Sequence, residues 1–73
     1  MKISYDQTAN SLYIYIKEKI HKGEVKQTYS CNPIEVNGEI NLDFDQNGYL
    51  LGIEILDADK KVFKEFLNNA EKI

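Results

Sequence analysis

Ile40–Leu56, INLDFDQNGYLLGIEIL, is the stretch whose reading decides the fold, and two readings compete for it. Asp43 to Glu54 matches the calcium-loop spelling D-x-[DN]-x-[DN]-G-x5-E at every specified position. Such a loop has to curl around its ion, so that acids at its first, third and fifth positions meet a bidentate Glu at its last. The alternation of residue types argues for extended chain instead. Ile40, Leu42 and Phe44 alternate with Asn41 and Asp43, and downstream Leu51, Ile53 and Ile55 alternate with Leu50, Gly52, Glu54 and Leu56. Period two is the signature of a half-buried strand.

Asn47-Gly48 favours a tight turn because both residues tolerate positive φ. A turn there sets Phe44 opposite Leu51, Leu42 opposite Ile53 and Ile40 opposite Ile55, and a four-residue loop, Asp45 to Gly48, keeps the same parity. Glu54 then stands about 20 Å from the hairpin tip at roughly 3.3 Å per residue, too far to close a loop there. Leu51, at the ninth position of the spelling, offers no side-chain oxygen. The hairpin is therefore preferred to a calcium loop. What is left of the metal reading is weak cation binding by Asp43, Asp45 and Asn47 at the tip, three exposed ligands on a turn.

Elsewhere the chain reads as one domain over residues 1–73. Ile3 and Tyr5 share a parity in a first strand, a polar turn runs from Asp6 to Ser11, and Leu12, Ile14 and Ile16 alternate with Tyr13, Tyr15 and Lys17 in a second. Val25, Gln27 and Tyr29 define a middle strand reached through the turn at His21 to Gly23, while Pro33 and Asn37-Gly38 indicate loop or sheet edge. The strand order across residues 17–39 does not follow from the pattern. Near the end, Asp57 or Asp59 is positioned as an N-cap, and Val62, Phe63, Phe66, Leu67, Ala70 and Ile73 form one apolar helical stripe, with Lys72 suited to the helix C-terminus. The predicted architecture is α+β: a four- or five-stranded, mostly antiparallel sheet with one C-terminal helix packed on one face.

One helix leaves the second face of the sheet uncovered. That face is expected to display Tyr13, Tyr15, Asn41, Asp43, Leu50, Gly52, Glu54 and Leu56. Tyr offers large contact area at little entropic cost, and the acids favour a basic partner. Tyr13, Tyr15, Asp43, Leu50, Glu54 and Leu56 are accordingly the candidate partner-binding residues. The competing structural role is that Tyr13 and Tyr15 lie over Gly52 and cover its backbone.

Charge placement agrees with a basic partner. Net charge is −3, and from Gln27 through Asp59 there are seven acids and no Lys. All nine basic residues are Lys, so no guanidinium is available for bidentate contacts to phosphate or guanine, and nucleic-acid binding by this chain alone is not expected. Cys31 is the single cysteine, no apolar run is long enough to span a bilayer, and MKISYD reads directly as a strand rather than a signal region. A reduced, cytoplasmic setting is expected, with no membrane and no cofactor. Catalysis is not expected either. Asp43 and Glu54 share a parity on neighbouring strands, and Cys31 with His21 makes a nominal nucleophile and base, but no cleft, oxyanion donor or second copy of either pair accompanies them.

Two blocks carry a family resemblance: KISYDxxxNxLYI, Lys2 to Ile14, and DFDxxGYLLGIEILDA, Asp43 to Ala58. Together they resemble the YuzE-like family of small prokaryotic domains of unknown function. The resemblance implies a small sheet with a C-terminal helix and no established activity. It also implies an antitoxin-like partnership with a small, basic, ribonuclease-like toxin. The expected function is thus a protein-binding module for a small basic protein, the alternative being a self-associating homodimeric protein in which the same face meets a second copy.

Overall fold

The computed structural model describes residues 1–73. Its six strands are β1 (Lys2–Asp6), β2 (Ser11–Tyr15), β3 (Gln27–Ser30), β4 (Ile40–Phe44), β5 (Leu50–Leu56) and β6 (Glu71–Lys72). They form one sheet in the order β3-β4-β5-β2-β1-β6, antiparallel throughout except for the parallel pair β1–β6. The α+β class and the mostly antiparallel sheet are as the alternation predicts; the strand count is six rather than four or five.

The β4–β5 hairpin holds the centre. Ile40 pairs with Ile55 and Leu42 with Ile53, the expected register. At the tip the register shifts: Phe44 pairs with Leu50, not Leu51. The turn itself causes this. Asp45 Oδ1 accepts from the amides of Asn47 and Tyr49, and the Asp45 amide bonds the Tyr49 carbonyl, so the loop runs one residue longer than a four-residue turn. Gly48, at φ 86°, supplies the left-handed position the loop requires. Leu51 becomes the extra residue of a β-bulge, and its carbonyl accepts from both Ile16 and Lys17 amides.

The C-terminal segment departs from the expected single helix. Asp57 adopts φ 50°, Ala58–Lys60 form a 3-10 turn, Phe63 is extended, and the helix proper, α2, spans only Lys64–Asn68. Asn10 is the reason. The Ala58 amide bonds the Asn10 carbonyl, Asn10 Nδ2 donates to Asp59 Oδ1 at 2.7 Å, and the Asp59 amide donates back to Asn10 Oδ1 at 3.2 Å. Held by this clamp, neither Asp57 nor Asp59 caps α2. The chain then re-enters the sheet as β6, the Ile73 amide bonding the Tyr5 carbonyl. Lys72 fulfils its expected part, its ammonium donating to the carbonyls of Leu67, Asn68 and Ala70.

Leu12, Ile55, Ala58, Leu67 and Ala70 make one buried cluster, with Ile3, Tyr5, Ile14, Ile40, Ile53 and Val62 packed against it, and Leu51 is buried outside that cluster. The C-terminal segment therefore covers one side of the apolar face, over β1, β2 and β5. In the stretch predicted as loop, a short helix α1 (Pro33–Val36) appears: Asn32 Oδ1 caps the amides of Ile34 and Glu35, Pro33 opens it, and Asn37, at φ 50°, ends it. No helix is long and apolar enough to cross a membrane.

Candidate functional site

The sheet register assembles the polar face row by row, because residues paired across strands point to the same side. One row runs Ser30, Asn41, Glu54, Tyr13, Ser4; the next runs Thr28, Asp43, Gly52, Tyr15, Lys2. Five of the six expected partner-binding residues, Tyr13, Tyr15, Asp43, Glu54 and Leu56, belong to this face. Leu50 does not: the bulge pairs it with Phe44 and so turns it to the apolar side. Period-two parity cannot register an inserted residue, which is why the sequence misplaces Leu50.

Tyr13 reaches diagonally over Gly52 to Asp43. Its hydroxyl donates to Asp43 Oδ2 at 2.7 Å, and a Cβ at position 52 would overlap the phenol ring and oxygen. The covering role considered for Tyr13 is therefore present, and Asp43 is what fastens it. Thr28 Oγ1 donates to the other carboxylate oxygen at 2.7 Å, a partner not foreseen from the sequence. Tyr13 and Tyr15 meet edge to face with centroids 4.7 Å apart, and the Lys2 ammonium lies 4.5 Å from the Tyr15 ring centroid.

Burial, followed by the hydrogen bond to Asp43 and that carboxylate's charge, pushes the Tyr13 phenol well above its ordinary pKa. A folded-state pKa above the unfolded one means that the folded chain holds this proton more tightly. Its stabilisation is complete below the unfolded value of 10.0 and is lost as pH rises from there toward the folded value. Urea midpoints measured in steps above pH 10 should accordingly fall less steeply for Tyr13→Phe than for the parent chain; parallel slopes would contradict this account of Tyr13.

Next along β4, Asn41 is buried, its Nδ2 donating to Glu54 Oε1 at 2.9 Å and, more weakly, to Glu39 Oε2 at 3.4 Å. Its Oδ1 is buried without a hydrogen-bond partner. Asp43 and Glu54 thus have separate partners and do not form the paired acids that general acid catalysis would use. Nor do they approach a common ion: Asp43 stands opposite Gly52, and Glu54 opposite Asn41. At the tip, Asp45 Oδ1 is engaged by the loop's own amides.

A cleft beside α1 is lined by Ser30, Cys31, Gly38, Glu39, Leu56 and Asp57 among others, joining Leu56 and the Glu39 end of the polar face. His21 lies apart from that lining, exposed in the 17–26 segment, where its amide donates to Glu24.

Residues 2–58, which carry both rows of the polar face and the hairpin, match the family described as "Protein of unknown function (DUF2283)". The chain belongs to DUF2283. That finding corrects the YuzE-like assignment, and the physical reason is visible in the residues that supported it. Gly48 is held by the turn, Gly52 by the ring above it, and Asp43 by two hydroxyls; such positions mark this hairpin and not a finer kinship. The toxin partnership was implied by the YuzE-like resemblance alone and goes with it. No curated protein and no solved structure significantly matches the DUF2283 chain.

Sequence reasoning missed Asn10, Thr28 and the buried Asn41 amide. Asn10 reads locally only as a turn residue, at φ 55° with the Tyr5 hydroxyl donating to its Oδ1; its clamp partner Asp59 is 49 residues away. For α1 the signal was there: Asn before Pro, then Asn-Gly four residues on, is a helix with both caps in place.

Proposed function

We propose that this DUF2283 chain is a binding module whose polar face docks a basic protein surface. The observation that carries the reading is the lack of an internal counter-ion. Glu39 just before β4, Asp43 on β4 and Glu54 on β5 have no lysine partner, the one ion pair in the chain being Lys17 with Glu24. Neutral donors hold Asp43 and Glu54 in place while leaving their charge uncompensated, and Tyr13 and Tyr15 add rigid contact area beside them. A second copy on the same face would oppose carboxylate to carboxylate, so a basic partner is preferred to self-association there. The role is binding rather than catalysis, in a reduced cytoplasmic setting that suits a single free thiol.

Amide NMR of the labelled chain titrated with an octalysine peptide at low salt tests the face. Shifts are expected to concentrate at Glu39, Asn41, Asp43 and Glu54, to fade at high salt, and to need about tenfold more peptide in Glu54→Lys. Shifts spread evenly to Glu18 and Glu65 would sink the proposal.

A further inference from the structure

Between the tyrosines and Asp43 the polar face dips into a shallow pocket of about 330 Å³, lined by Tyr13, Tyr15, Ile20 and Asp43, all of them half-buried. Two of its walls are phenol rings set at 68° to each other. Ile20 adds an apolar rim from the 17–26 segment, which the Lys17–Glu24 ion pair and the His21 amide on Glu24 hold closed. We propose that this pocket takes the guanidinium of an arginine side chain presented by the basic partner, an inference that rests on the binding role proposed above and names the residue type the face grips.

The carboxylate selects the occupant. Asp43 is held from both sides of β4, Oδ2 accepting from Tyr13 of β2 and Oδ1 from Thr28 of β3, each at 2.7 Å. An ionised carboxylate offers about four lone-pair sites, so one remains on each oxygen. Two acceptors at a fixed spacing match two N–H groups of a planar guanidinium, whereas an ammonium is a compact point charge that gains little from the second oxygen. Both donors already on Asp43 are neutral hydroxyls and no lysine pairs with it, so its charge is free to act on an incoming cation.

The walls agree with that occupant. A guanidinium stacks on aromatic rings and gives up its water more readily than an ammonium, while the methylenes of its stem can pack on Ile20. Tyr15 already attracts a cation: the Lys2 ammonium lies 4.5 Å from its ring centroid, yet Lys2 neither lines the pocket nor pairs with Asp43. All nine basic residues of the chain are Lys. No side chain of its own can therefore fill the pocket with a guanidinium, which leaves the position to a partner.

Two heptapeptides of equal charge test this on the parent chain: one of lysines throughout, and the same peptide with arginine at its central position. In NMR titrations at low salt the arginine peptide is expected to bind with a Kd at least about fivefold lower, and intermolecular NOEs should join its arginine δ-methylene to the Tyr13 or Tyr15 ring. This comparison decides the matter whether or not any variant folds. In Asp43→Asn, which keeps the shape of the side chain and removes its charge, the two peptides should bind alike. Equal Kd values on the parent chain, with shifts still gathered at Glu39 and Glu54, would overturn the arginine pocket and leave the binding face standing. Absence of shifts with either peptide would overturn both, and an arginine preference that persists in a folded Asp43→Asn would overturn the pocket alone.

Discussion

Gly52→Ala is expected to lower stability by about 2–4 kcal/mol, combining an overpacking strain with loss of a hydrogen bond to a charged acceptor. The methyl group would occupy the space of the Tyr13 ring, whose hydroxyl is tied to Asp43 at 2.7 Å. To make room the phenol has to swing off the sheet. Asp43 then keeps only Thr28 as a side-chain donor, and the face loses the edge-to-face contact with Tyr15. For a domain of this size such a loss lowers Tm by about 10–20 °C. The double variant Gly52→Ala with Tyr13→Ala distinguishes steric conflict from a general intolerance at position 52. If the ring is the obstacle, the double variant should be more stable than the sum of the single losses by at least about 1 kcal/mol, read from urea unfolding. Strict additivity would show that Gly52 is constrained by something other than Tyr13.

Leu12→Ala should be as damaging, by about 2–5 kcal/mol. Leu12 is 0 % exposed on β2, paired with Tyr5 on one side and Ile55 on the other, and it belongs to the cluster closed by Ala58, Leu67 and Ala70. That cluster has few large members, so little remains to collapse into the space left behind. At ~0.05–0.15 kcal/mol per residue, a chain this short has about 4–11 kcal/mol in all, and the substitution removes a large part of it. Ile34→Ala is the matched control. Ile34 is 88 % exposed on α1, and its truncation should change stability by no more than about 0.5 kcal/mol. Equal urea midpoints for the two variants would mean that the core does not lie where Leu12 is.

The hairpin was legible because alternation and Asn47-Gly48 point the same way: apolar residues at even positions of β4 and odd positions of β5 can share a face only if the chain reverses between them. From that parity alone Tyr13, Tyr15, Asp43, Glu54 and Leu56 could be placed together on the polar side. Leu50 could not be placed, because Asp45 draws two loop amides onto one oxygen and lengthens the loop, which inserts Leu51 as a bulge. The apolar stripe from Val62 to Ile73 has a helical period yet yields only the short α2. Asn10, distant in sequence, holds residues 57–59 in another conformation, and β1 recruits the last residues as a strand.

What the amino-acid order determined by itself was local: which residues alternate, where a turn tolerates positive φ, and that the acids gather in the middle of the chain while the lysines lie outside it. Side-chain period and backbone preference are properties of neighbouring residues, so they can be read from neighbours. Tertiary structure alone decided which donors hold Asp43 and Glu54, that Tyr13 lies across Gly52, and that Asn10 clamps Asp59 so that the C-terminal helix starts only at Lys64. Each of these depends on groups brought together across strands from distant parts of the chain, and their positions exist only once the sheet has closed.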